Sequence, residues 1–296
     1  MESLSILIPI YDWDSTQLIK DLHFQGLVLG IPYEIIVADD CSTDKELQEK
    51  NRIIAESHEN CRYYALQQNI GRAAIRNYMA DRSQYQKLLF MDCDGQVNHN
   101  KDFLKNYMDA SSKADVICGG VAHSETNTEP GSELRYAYEK NADLNRSARV
   151  RNLTPSARFL STAFLIDRDA FMQIRFDESY IKYGYEDVQF GYELEKHNIS
   201  ILHIDNPVIQ LGLDTNEVFL EKSRQAVVNA FEHREGLGDS STLLNHYNRV
   251  RKLCSRWIFR ILWAFWGKKM EGNLLSADPS LKVFSLYKLC YICSLR

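Results

Sequence analysis

Two carboxylates one residue apart, Asp92 and Asp94, end the apolar run Leu88-Leu89-Phe90-Met91 and are followed by Gly95. At alternate positions they can point to one side and share a divalent cation, with Gly95 letting the backbone turn. Hard oxygen ligands of this kind suit Mg2+ or Mn2+, with phosphate oxygens completing the shell. A strand that ends in a polar turn would carry the same residues. Asp39 and Asp40 end a second apolar run, Glu34 to Ala38. Asn69-Ile70-Gly71-Arg72 precedes a helical pattern, which offers free amides and a guanidinium to an anion. Glu186-Asp187 follows Gly184 and opens another helix. A carboxylate there can take a proton from a hydroxyl, or it can do no more than complement the helix dipole.

Positioning these groups together requires a frame with several strand ends on one rim. Leu4 to Ile10 reads as a strand, after which Asp14 or Ser15 would cap a helix carrying Leu18, Ile19 and Leu22. Glu34 to Ala38, Cys61 to Leu66, Leu88 to Met91, Asp115 to Gly119 and Phe159 to Ile166 read as further strands. Helices are expected over Thr43 to Ser57, with Asp44 as the cap, and over Gly71 to Arg82, Asp102 to Ala114 and Glu186 to Lys196. Strands alternating with helices imply βαβ units and a mainly parallel sheet, whose strand C-termini are where ligands bind. Ile199 to Ile204 and Pro207 to Leu211 are expected to close that sheet. Val121 to Ser161 loses regularity and turns polar, as functional loops do. Beyond Gly212 the chain reads as helices, with no repeat and no low-complexity tract.

A chain of 296 residues can bury a substantial core. Its net charge of −5 conceals an asymmetry: from Arg249 onward there are ten Lys/Arg and two Asp/Glu, against 25 basic and 38 acidic residues before it. An acidic body argues against nucleic acid as a partner. The seven cysteines are scattered and odd in number, and the N-terminus lacks the charged start and apolar core of a signal peptide. Reduced thiols in a cytoplasmic protein are therefore expected. Cys290-x-x-Cys293 has no second Cys/His pair at zinc spacing, and no 18-residue apolar stretch is free of charge.

Five segments in order, Ser5 to Tyr11, Glu34 to Asp44, Asn69 to Asn77, Phe90 to Asp94 and Tyr185 to Asp187, carry a resemblance to the family 2 glycosyltransferases of the GT-A fold. Each motif is weak alone; their order and spacing make the match. The resemblance implies an inverting enzyme that uses a nucleotide-diphosphate sugar. It covers roughly residues 3 to 212, a catalytic domain with a nucleotide-binding half (1–97) and an acceptor-binding half (98–212). A helical extension, 213–296, lies outside it. By the same resemblance Pro9 and Tyr11 line the base pocket, Tyr11 offering a stacking face, and Asp39 or Asp40, with Asp40 favoured, accepts a base N–H. Gly71 and Arg72 sit near base and phosphates. Asp92 binds a ribose hydroxyl or water, and Asp94, with Asp92, binds Mn2+ or Mg2+, a Lewis acid for the leaving diphosphate. Asp187, beside Glu186, is the base that receives the acceptor's proton. Arg76 belongs to the same motif, as a ligand contact or a salt bridge. UDP is the expected nucleotide with GDP as the alternative, and the acceptor a glycan or lipid-linked hydroxyl in polysaccharide or glycoconjugate synthesis.

One departure stands out. Relatives place a further metal-ligating His in a segment similar to Pro207-Val208-Ile209-Gln210-Leu211-Gly212, and here that position is Gln210, whose amide oxygen could still meet a hard cation. His203, one strand earlier, is either a second candidate ligand or structural. Gln210 is the support for a rival reading, a catalytically impaired binder of sugar nucleotides or glycans. Asp92-x-Asp94-Gly95 also resembles the nucleophile motif of haloacid-dehalogenase-like phosphatases, but Gln96 replaces the expected Thr and no later Gly-Asp-x-x-x-Asp occurs. Arg149 and Arg151 either meet an acidic acceptor or face solvent. Residues 249–269 read as one helix with seven Lys/Arg, no acidic residue and five Trp/Phe. It would lie against an anionic membrane surface or pack through Ile258, Ile261, Leu262 and Phe265 on the catalytic domain.

Overall fold

Successive residues of a strand face opposite ways, so an unbroken apolar run such as Leu4 to Ile10 needs cover on both sides. The structure, a computed structural model describing residues 2–126, 129–237, 241–253 and 255–295, provides it. The chain forms β1 (Leu4–Ile10), α1 (Thr16–Leu29), β2 (Tyr33–Asp39), α2 (Lys45–Glu56), β3 (Cys61–Ala65), α3 (Arg72–Arg82) and β4 (Lys87–Met91). It continues as β5 (Gly95–Gln96), α4 (Phe103–Ala110), β6 (Val116–Cys118), β7 (Val121–Ala122), α5 (Glu133–Asp143), α6 (Ala148–Arg151), β8 (Ala163–Asp167) and α7 (Arg168–Ile174). Then come α8 (Glu186–Lys196), β9 (Ile201–His203), β10 (Val208–Gln210), α9 (Asn216–Glu232), α10 (Thr242–Lys252), α11 (Arg256–Leu274) and α12 (Leu281–Ser294).

Seven strands make the central sheet in the order β3-β2-β1-β4-β8-β6-β9. All pairings are parallel except the two flanking β8. Ile6, Ile8, Ile35, Val37 and Leu89 pack into one core. Their neighbours Leu7, Ile36, Leu88 and Phe90 pack into the other, where Phe90 stacks on Phe164 at 4.9 Å between ring centroids. The mainly parallel α/β architecture expected from the sequence is what the chain adopts.

Three local expectations fail, and one strand takes a direction that the sequence left open. Ala163–Asp167 runs antiparallel, because a strand buried on both faces has the same composition in either direction. Val208–Gln210 does not close the central sheet. It joins β5 and β7 in a separate three-stranded sheet, with Gln210 opposite Gly95. Gly95 is needed less for turning than for this approach, since a Cβ there would lie 2.7 Å from Val208 Cγ2. The irregular polar segment contains helices α5 and α6, and the basic tail falls in two helices, α10 ending at Lys252 and α11 beginning at Arg256. Asp44 caps α2 as expected, accepting from the Glu46 and Leu47 amides. Ser15 makes no side-chain cap on α1, while Asp14 accepts from the Thr16 amide.

The C-terminal helices pack against the front of the domain. Leu134 of α5 shares a core with Phe219, Leu274, Phe284 and Tyr287, while Tyr185 and Val188 at the start of α8 lie against a second one built on Val227, Leu244 and Tyr247. Trp263 of α11 meets Tyr287 and Tyr291 of α12 at 5.0 and 5.1 Å. Among the described residues no helix is long and apolar enough to cross a membrane, and the cysteines are free.

Candidate active site

The C-terminal ends of β1 and β2 are tied into one rim by carboxylates. Asp39 is fully buried and accepts from the Ser42 amide, the Ser42 hydroxyl and Gln48, each at 2.7 Å. That makes Asp39 a structural anchor. Asp40 accepts from the amides of Ile70 and Gly71 at 2.7 and 3.0 Å, holding the loop that starts α3. Burial holds its carboxyl above the ordinary range, against the pull of those amides. Sequence reasoning passed over Asp12. Its carboxylate accepts from Thr43 N, Thr43 Oγ1 and Asp44 N at 2.7 to 2.9 Å, fastening the turn after β1 to the start of α2. The signal available was an acid directly after Pro9-Ile10-Tyr11. Tyr11 itself is half exposed on this rim and Pro9 partly buried.

One guanidinium joins the two motifs that could do chemistry. Arg72 Nε donates to Glu186 Oε1 at 2.9 Å and its Nη2 to Asp92 Oδ2 at 3.3 Å. Tyr183 lies beneath it, 5.5 Å from the ring centroid. Arg76, almost wholly buried, donates to Asp92 Oδ1 at 2.6 Å and to Ser161 at 3.3 Å. Of the two readings of Arg76, the structure has the salt bridge. Both oxygens of Asp92 are thus engaged, whereas Asp94 Oδ1 and Glu186 Oε2 are buried with no hydrogen-bond partner. Burial first, then the Asp92 charge, raises the Asp94 carboxyl above its ordinary value.

Gln210 does touch Asp94, but with the other end of its amide. Its Nε2 lies 2.9 Å from Asp94 Oδ2, while its Oε1 faces His123 Nε2 at 3.2 Å. Arg146 Nη1 stands 2.9 Å from His123 Nδ1. Asp143 Oδ1 also lies 3.4 Å from Nδ1, but the shorter contact is to a guanidinium, which only donates; with Nδ1 accepting, Nε2 carries the proton and faces the Gln210 oxygen. The network therefore turns the Gln210 N–H toward Asp94, and the oxygen expected as a ligand faces away. Nothing in the sequence singled out His123, which sits in the segment read as irregular. His203 drops out as a ligand. Its Nδ1 accepts from Arg151 at 2.7 Å and its Nε2 donates to Pro155 O at 3.0 Å, and burial pushes its pKa down to about 4. The same bonds make Arg151 a buried strut, while Arg149 is exposed.

Asp187 stands in the first turn of α8 with its Oδ1 accepting from Val188 N at 2.8 Å. Burial, then the adjacent Glu186 charge, raises its pKa to about 6. The preceding turn holds Gly184 at φ 89° and Tyr185 at φ 73°. A Cβ at Gly184 would meet Ala226 of α9 at 2.8 Å. The turn is held from outside by Asn229 of α9, whose amide nitrogen reaches the carbonyls of Lys182, Tyr183 and Gly184 at 2.8, 3.4 and 2.9 Å. Asn229→Ala is expected to cost about 1–3 kcal/mol of stability and to lower kcat at least about tenfold, since sub-ångström misplacement of reacting groups is costly. Thermal melts and steady-state kinetics read the two effects; an unchanged kcat at reduced melting temperature would leave Asn229 a purely structural residue.

A family model described as "Glycosyl transferase family 2" matches residues 5–175. No curated protein matches the sequence. Among solved structures the chain is similar to TarS 1–349 of S. aureus, at 18% identity and TM-score 0.50 over 99% of this chain and 90% of that one. It is similar to the mannosyltransferase PcManGT from Pyrobaculum calidifontis in complex with GDP-Man and Mn2+, at 13% identity and TM-score 0.58 over 98% and 85%. Glucosyl-3-phosphoglycerate synthase from Mycobacterium tuberculosis, in complex with Mn2+, UDP and glucosyl-3-phosphoglycerate, matches at 16% identity and TM-score 0.55 over 81% and 82%. At these identities the likeness is one of fold.

Proposed function

The chain belongs to glycosyl transferase family 2, and on that footing we propose that it moves a sugar from a nucleotide-diphosphate donor to an acceptor hydroxyl with inversion. The observation that carries this reading is Arg72, which touches Asp92 of the donor motif and Glu186 of the base motif at once. Two motifs far apart in sequence are one site. Asp187 receives the acceptor hydroxyl's proton while that oxygen bonds to the anomeric carbon from the face opposite the leaving diphosphate, whose bond to carbon breaks with its electron pair. In this reading Tyr11, Pro9 and Asp40 would contact the base, and Gly71 and Arg72 the phosphates.

The residues present fit a divalent cation. Asp94 offers a buried oxygen with no other partner, and among the described residues no three His, Cys, Asp or Glu side chains gather to cage an ion. Mn2+ or Mg2+ is commonly held by one or two carboxylates and the substrate's own phosphates. Asp94 is the stronger ligand of the pair, because both oxygens of Asp92 already accept from arginines. When bound, the cation would offset the charge of the diphosphate. Complexes of similar folds hold Mn2+ with UDP or GDP-mannose; UDP is the first nucleotide to try, and the acceptor a glycan or lipid-linked hydroxyl. The phosphatase alternative has no support in this fold. A non-catalytic binder rests on Gln210 alone.

A thermal-shift screen of nucleotides with Mn2+, followed by donor hydrolysis with each sugar of the winning nucleotide, tests the proposal. A bound nucleotide at 100 times its Kd stabilises by about 2.7 kcal/mol, an easily read shift. Stabilisation without turnover on any donor or acceptor would favour the binder, and no stabilisation by any nucleotide would sink both. Gln210→His replaces the N–H donated to Asp94 by an imidazole that can itself ligate. It is expected to lower the Mn2+ concentration at half-maximal UDP affinity about three- to tenfold; unchanged Mn2+ dependence would mean position 210 lies outside the coordination shell.

A further inference from the structure

Helix α11 is apolar on two faces, and protein covers only one of them. Phe259, Leu262 and Trp263 pack toward α12, with Met270 and Leu274 further along. On the other side Trp257, Ile261 and Phe265, spaced by four, form a continuous stripe with Ile258 at its edge. Their exposures are 61, 45, 78 and 42%. A helix of a water-soluble surface presents polar residues on its outer face; this one presents tryptophan and phenylalanine. Of the packing face read from the sequence, Ile258, Ile261, Leu262 and Phe265, only Leu262 packs inward; Ile258, Ile261 and Phe265 face out, and Phe259 and Trp263 fill the covered face instead, because α12 docks on that side.

The stripe is bordered by positive charge. Arg249, Arg251 and Lys252 precede it, Arg260 lies on one flank, and Lys268 and Lys269 end it. Among the described residues none of these six makes an ion pair, whereas Arg76, Arg146, Lys222 and Arg224 of the rest of the chain do. No acidic residue occurs between Arg249 and Met270. Exposed aromatic side chains in a rim of unpaired Lys/Arg are complementary to the anionic headgroup region of a bilayer, where Trp rings sit at the polar boundary and each cation adds attraction to acidic lipid. A second copy of the chain is a poorer occupant, because a self-paired face would oppose these like charges.

We propose that this outer face of α11, Trp257 to Lys269, docks the protein on an anionic membrane surface without crossing it. The docking does not depend on the sugar-transfer reading, and its test uses no donor.

Co-sedimentation of the full chain with vesicles of phosphatidylglycerol and phosphatidylcholine, at low and near-physiological salt, is the measurement. Wild type is expected to bind the anionic vesicles, to bind less as salt rises, and to leave pure phosphatidylcholine largely free. Trp257→Ser with Phe265→Ser should reduce the vesicle partition coefficient at least about tenfold, and Lys268→Glu with Lys269→Glu should do so mainly at low salt. These side chains are exposed, so melting temperature should hardly change, which separates lost docking from lost folding. Absence of vesicle binding at both salts overturns the proposal. So does binding undiminished in the aromatic double variant. If light scattering instead shows a wild-type dimer that W257S/F265S makes monomeric, with no lipid bound, the face is a self-interface and the proposal is wrong.

Discussion

Asp187→Asn is expected to lower kcat by about three orders of magnitude while leaving the donor's Kd within about twofold. The substitution removes the base but keeps the shape, and the Asn amide oxygen can still accept from Val188 N as Asp187 Oδ1 does. Because the carboxyl is raised to about 6, kcat/KM of the wild type should fall tenfold per unit as pH drops below that value. The variant's residual activity should lack this limb. Stability runs the opposite way. A carboxyl whose folded pKa lies above its unfolded value of 3.8 contributes stability that is full below 3.8 and lost as pH rises through about 6. Asp187→Asn should therefore melt no lower than wild type at neutral pH. Near-wild-type turnover with the true acceptor would remove Asp187 from the mechanism.

Asp94→Ala should abolish the dependence of UDP binding on Mn2+ and weaken binding in its presence at least about 100-fold, equivalent to ~3 kcal/mol. Calorimetric titration of UDP with and without Mn2+ measures it directly. The Arg72–Asp92–Arg76 arrangement makes the comparison clean. Asp92→Asn would disturb two arginines as well as any ligand role, whereas Asp94 is bonded to Gln210 alone through one oxygen, with the other unpartnered. Equal wild-type affinities with and without Mn2+ would count against a cation at this site.

The rim proposed to hold the donor was legible as a set of strand ends because its physics is local. Apolar runs that end in Asp39-Asp40 and Asp92-x-Asp94 announce strand ends, and β2 and β4 follow within a residue, whereas the strand read from Phe159 begins only at Ala163. What the sequence hid was whatever depends on distant partners. The direction of β8 leaves no trace in the composition of a doubly buried strand. Arg146, His123 and Gln210 meet only after α5 has folded the polar segment back, so no spacing revealed that the Gln210 amide would turn its N–H toward Asp94. His203 offered a ligand's chemistry on paper, but a buried arginine and the Pro155 carbonyl take its two ring nitrogens. In α11 the failure was of another kind. A helix apolar on two faces satisfies two readings at once, and only the packing of Trp263 against Tyr287 and Tyr291 shows which face is left over.

Asn229 has a consequence for modularity. A boundary drawn at Gly212 leaves the donor rim intact on one side, yet the carbonyls of residues 182–184 are held by an amide seventeen residues past that boundary. Gly184 is fitted against Ala226 of the same helix. The helical region is thus a splint for the turn that presents Asp187, and the two cannot be exchanged independently. A chimaera that grafts the C-terminal helices of another family member onto residues 1–212 would inherit the proposed donor pocket. It would regain a correctly set base only where the incoming helix offers a small side chain at position 226 and a donor at 229.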